Sequence, residues 1–76
     1  MQTTGFQVNA MFHDPANASS ELGNLADFTQ EERKPLAKVQ AMRFHRQGYW
    51  VEVFNQDGEL IAGPFDPDRP LPAYIF

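Results

Sequence analysis

The stretch GYWVEVFNQDGELIAGPF, residues 48–65, constrains the fold more than any other part of the chain. Apolar residues alternate on both sides of NQDG, which predicts a β-hairpin closed by a three-residue loop with Gly58 in the left-handed region. That loop pairs Phe54 with Leu60 and Val53 with Ile61. Strand side chains alternate between faces, so a one-residue slip would exchange the core and the surface. Val51 and Val53 then share one face, and Trp50, Glu52 and Phe54 share the other.

Residues 36–47 read as a further strand, so that 36–65 forms a three-stranded antiparallel meander with turns at Gly48 and Gly58. Two registers compete at the first turn. An odd loop sets Arg43 and His45 beside Val51 and Val53, whereas an even loop sets Met42 and Phe44 there. Burying an unpaired guanidinium costs several kcal/mol, far more than an awkward turn residue at Gln47. The even loop is therefore expected. One sheet face becomes the core: Met42, Phe44, Tyr49, Val51, Val53, Ile61 and Phe65. The other mixes charge with large apolar groups: Arg43, His45, Trp50, Glu52, Phe54, Leu60 and Ala62.

Upstream, GFQVNAMFH (5–13) alternates Phe6, Val8, Ala10 and Phe12 against Gln7, Asn9, Met11 and His13, the period of a half-buried strand. Asp14-Pro15 ends it. It is expected to join an edge of the meander. Leu22, Leu25, Ala26 and Phe28 lie at roughly helical spacing, with Ser19 or Ser20 as N-cap. TQEE (29–32) reads as a capping box, and Pro35 as a stop. These signals predict a short helix near 19–27 and a further turn or two near 30–34, closing the core through Leu22, Leu25 and Phe28. DPDRPLPAYIF (66–76) should run extended.

The expected architecture is thus a small α+β domain. It has an N-terminal strand, a short helical segment, a three-stranded antiparallel meander and an extended C-terminal tail. Residues 1–4 are expected to be disordered, 5–65 to form the single domain, and 66–76 to pack on it as a Pro-rich tail. At 76 residues without cysteine, the chain can have no disulfide or thiolate zinc site. A domain this size buries only about 60% of its unfolded surface. Either a well-filled core or association with another chain must compensate.

The net charge of −4 argues against non-specific affinity for nucleic acid or anionic membrane. MQTTGFQVNAMFH lacks the features of a signal peptide, and no apolar run approaches the roughly 18–20 residues of a membrane span. The expectation is a soluble cytoplasmic protein. Five of the six basic residues (Arg33, Lys34, Lys38, Arg43, Arg46) fall within 33–46, a segment without acids. Glu52, Asp57, Glu59, Asp66 and Asp68 follow, so cross-strand charge pairing is expected.

Catalytic chemistry finds little support. His13 and His45 lie on different strands, which leaves no metal site of the usual kind. Ser19 and Ser20 are explained by capping, and no glycine-rich phosphate loop occurs. No enzyme, cofactor or small-molecule substrate is expected. The favoured function is protein interaction, either homodimerisation or adaptor-like or inhibitor-like docking on a larger protein. Its surface would be Trp50, Phe54 and Leu60, flanked by Arg43 and Glu52. The tail is the competing cover for that face, through Leu71, Tyr74, Ile75 and Phe76. Tyr74-Ile75-Phe76 could instead be a ligand for a carboxylate-capturing groove. The alternative function is a single-stranded nucleic-acid platform built from the basic segment 33–46 with Phe44 and Trp50.

Overall fold

The computed structural model describes residues 5–15 and 25–72. Four strands and one helix follow in the order β1 (Phe6–Met11), β2 (Leu25–Glu31), α1 (Lys34–Arg46), β3 (Trp50–Phe54) and β4 (Leu60–Phe65). The strands form one antiparallel sheet ordered β2-β1-β3-β4. Both β2 and β3 run antiparallel to β1, so they are parallel to each other and α1 is the crossover between them. The class is α+β, as expected. Within it, however, two elements have exchanged identity.

The first exchange is at 34–46, where a helix stands in place of the expected strand. Pro35 sits in the first turn, where its missing N–H would be unpaired anyway, so it starts the helix instead of stopping one. Ala37, Ala41 and Phe44, spaced i, i+4, i+7, are the buried residues. The two small alanines let the helix approach the sheet while Phe44 fills the space between. Gly48 does take a left-handed φ of 95°, but as the residue that ends the helix. Gly48 N–H donates to the His45 carbonyl at 3.1 Å and Tyr49 N–H to the Phe44 carbonyl at 3.2 Å. This is the paired bonding of a Schellman ending. The Phe44 and Tyr49 rings meet edge-on at 6.5 Å beside it.

The second exchange is at 25–31, which is a strand. Val8 pairs with Thr29 and Ala10 with Asp27, leaving Phe28 opposite Asn9. Thr29 makes no cap; its Oγ1 is buried without a hydrogen-bond partner. β1 is therefore a central strand and not an edge, because alternation reveals that one face is buried but not how many neighbours a strand has. Asp27 and Glu31 lie on the helix side of β2, an inward charge that discourages further strand pairing at an open edge. The expected Ser19, Ser20 and Leu22 fall outside the described residues, as do residues 1–4 and 73–76.

The β3–β4 hairpin follows the expected loop. Asn55 N–H donates to the Glu59 carbonyl at 2.9 Å and Gly58 N–H to the Asn55 carbonyl at 3.0 Å, with Gly58 at φ 82°. Phe54 pairs with Leu60, but Val53 pairs with Ala62 instead of Ile61. A bulge absorbs the extra residue. A second shift between Val51 and Val53 brings Phe65 opposite Val51. Bulges and Pro64 on this outer strand blunt the sheet's other edge.

The core consists of Val8, Ala10, Ala37, Ala41, Phe44, Val51, Val53 and Ala62, with Phe6, Tyr49, Ile61 and Phe65 packed against it. Ala62 thus belongs to the core and not to the outer face. Met42 is exposed, as are Leu25 and Phe28, which do not close the core. After β4, Asp66–Arg69 folds into a turn, with Asp68 N–H donating to Asp66 Oδ1 at 2.8 Å. His45 Nε2 lies 3.0 Å from the Asp66 carbonyl and 2.6 Å from that of Arg69. Both oxygens only accept, so this nitrogen carries the proton and ties the turn to the end of α1. The tail therefore begins with a bonded turn and becomes irregular over 70–72. No helix among the described residues is long and apolar enough to cross a membrane.

Candidate interaction face

Helix α1 covers one face of the sheet. The register shows what lies on the other. Three rows run across the strands: Gln30, Gln7, Phe54 and Leu60; then Phe28, Asn9 and Glu52; then Leu25, Met11 and Trp50. The parity expected for 50–54 holds: Val51 and Val53 are fully buried under α1, and Trp50, Glu52 and Phe54 are half-buried on the opposite side.

Side chains on neighbouring strands stand about 5 Å apart, so this face has a polar centre with apolar corners. Gln30 Nε2 donates to Gln7 Oε1 at 3.3 Å, and Gln7 Nε2 donates to Asn9 Oδ1 at 2.9 Å. Glu52 pairs across the ladder with Asn9. Around this centre stand Trp50, Phe54, Phe28 and Leu60, the last two about half-exposed at 49% and 46%. Met11 beside Trp50 is instead buried at 4%, so the exposed part of the face lies toward Phe28 and Leu60. A shallow depression of ≈ 250 Å³ lies at the hairpin end, lined by Gln7, Asn9, Phe54, Asn55 and Gly58. It is smaller than the usual 300–1,000 Å³ small-molecule site.

Glu52 is the ionisable residue of these rows, and burial raises its pKa above the ordinary 4.5. The folded state therefore holds the proton more tightly than the unfolded chain does. The stability associated with protonated Glu52 is complete below the ordinary value and is lost as pH rises through the raised one. Glu52→Gln should accordingly melt higher than wild type at neutral pH, and the gap should close in acid, below the ordinary carboxylate range. Thermal melts at both pH values check this; a variant melting no higher at neutral pH would refute it.

Of the five expected site residues, Trp50, Glu52, Phe54 and Leu60 come together. Arg43 does not: it lies on α1, on the other side of the sheet, with its guanidinium 5.3 Å from the Phe44 ring centre. His45 is likewise on the helix. The expected cross-strand charge pairing fails for the same reason, since the basic segment is not a strand. The nucleic-acid constellation is also not assembled. Phe44 is buried beneath α1 and Trp50 faces away from the layer that carries the cations. Phe28, Gln30, Gln7 and Asn9 are further members of the face. The alternation of β1 marks Gln7 and Asn9 as outward-facing, but only the adjacency of β1 and β3 joins them to Trp50.

Comparison with protein-family models, curated proteins and solved structures finds no match to this chain.

Proposed function

We propose that the protein is a non-enzymatic docking module that binds another protein through the face of its sheet opposite α1. What supports this reading is that α1 lies on one side of the sheet, while Trp50, Phe54, Phe28 and Leu60 gather on the other, Phe28 and Leu60 about half-exposed. Aromatic anchors around a hydrogen-bonded polar centre are the residue types that carry interface energy. The amides supply donors and acceptors, and Glu52 selects for a cation or hydrogen-bond donor opposite it. Catalysis is disfavoured on this face because its polar groups are amides engaged with one another and a single carboxylate, Glu52.

The test is a Trp50→Ser/Phe54→Ser double variant. Wild-type chain immobilised on a support is used to isolate a protein partner, which is then purified and titrated against both forms. Each anchor is worth about 2 kcal/mol, so the double variant should bind several hundredfold more weakly, and about thirtyfold even if only one of the two anchors contributes. Equal affinity, with the variant folded by circular dichroism, would refute this face as the binding surface.

A further inference from the structure

We propose that the sheet face opposite α1, at its exposed Phe28 and Leu60 part, receives helix α1 of a second copy, so that copies associate head to tail. This deepens the docking reading and rests on it. Its independent observation is the outer side of α1. Successive helical residues turn by about 100°, which sets Val39 opposite the buried Ala37, Ala41 and Phe44, with Leu36 and Met42 about 60° to either side of it. They are 46%, 52% and 42% exposed. A helix on the outside of a two-layer domain normally turns polar residues to water. This one is apolar on its inner side and mixes Leu36, Val39 and Met42 with the exposed Arg43 and Arg46 on its outer side.

Charge selects how these surfaces pair. The sheet face carries Glu52, and the exposed Asp57 and Glu59 stand at its hairpin end. The segment 33–46 holds five cations and no acid. Joining sheet to sheet brings two faces of acidic charge together, and joining helix to helix brings two basic segments together. Only sheet to helix brings opposite signs together, and it covers both apolar surfaces in one contact. No carboxylate pairs with Arg43 or Arg46 among the described residues. Arg33 and Lys34 stand at the helix N-terminus, where the backbone dipole disfavours cations, whereas Arg43 and Arg46 lie in the last turn, where it favours them.

The contact repeats between copies the helix-on-sheet packing found within one. A 13-residue helix is about 20 Å long, and the molecule's broad dimensions are 30 × 29 Å, so the helix fits within the face. A contact made by one 13-residue helix is small, so association should be weak, about micromolar or weaker. The two surfaces differ, so the contact does not close after two copies.

Sedimentation velocity from about 10 to about 500 μM tests this with two blocked forms, both checked by circular dichroism. Leu36→Glu/Val39→Glu blocks the helix at exposed positions; Trp50→Ser/Phe54→Ser blocks the sheet, with Leu60→Lys as replacement if that pair lowers the melt. Wild type should grow in mean mass with concentration, and each blocked form alone should stay monomeric. An equimolar mixture retains one intact helix and one intact sheet face, so it should form dimers and stop there. A wild type monomeric throughout overturns the head-to-tail proposal, leaving the docking reading to the partner titration. Association lost only with the sheet block means sheet-to-sheet pairing and overturns the helix assignment alone. Association that survives the sheet block overturns both.

Discussion

Phe44→Ala is expected to remove about 3–5 kcal/mol of stability, leaving much of the chain unfolded at room temperature. Most of the core is small: four of its eight residues are alanines and three are valines. Phe44, 1% exposed, is the largest fully buried side chain among the described residues and fills the layer between α1 and the sheet. It also meets Tyr49 at the helix ending, so its loss loosens the junction between α1 and β3. Small domains lie toward the low end of the usual 5–15 kcal/mol, and little margin remains after such a loss. Met42→Ala, two residues earlier but on the solvent side, should change stability by no more than about 0.5 kcal/mol. Urea unfolding followed by circular dichroism compares the two. A loss at Phe44 below about 1.5 kcal/mol, or a Met42 loss matching it, would contradict the helical placement of this segment.

That contrast matters because the segment was the least legible from sequence. Leu36, Met42 and Phe44 share even numbers and so mimic a strand, while Ala37, Ala41 and Phe44 mark the helix. A helix with apolar residues on both sides shows no clean polar face, and the period that would reveal it is diluted. The exposed stripe that hides the helix in the sequence is the same one offered above as a contact surface. Arg43 misled in a related way. In a strand its charge had to go to one of two faces, and the cheaper placement put it beside Glu52. In a helix it faces water over Phe44 with no such choice.

β2 was hidden for a different reason. An edge strand with one neighbour needs little burial, and Leu25 and Phe28 are about half-exposed, so its apolar residues carry no reliable period. What could be read was local and short-range. The alternation of β1, the Asn55–Glu59 loop, the left-handed glycines at 48 and 58, and the parity of 50–54 were all legible. Parity alone brought four of the five expected site residues onto one face. The neighbours of Trp50 and Glu52 on β1 and β2 depended on strand order, which is set by pairing across the sheet and not by any local pattern.

Gly63→Ala should cost about 2–4 kcal/mol, more than its size suggests. Gly63 has φ +100°, and a Cβ there would stand 2.5 Å from the Val51 carbonyl oxygen and 3.1 Å from Glu52 Cα. Both are backbone atoms of β3, so no side-chain rotation relieves the overlap. Relief requires moving β4 away from β3 at the point where Glu52 enters the open face. Gly58→Ala is the matched control: its φ is +82° and nothing lies within 4 Å of the added carbon. It should lose only the about 1–2 kcal/mol of the left-handed backbone itself. The difference isolates the close approach of the two strands, and chemical denaturation measures it directly. If Gly63→Ala proves no worse than Gly58→Ala, β4 can shift without cost, and the bulged edge is not what holds Val51 inward and Glu52 outward.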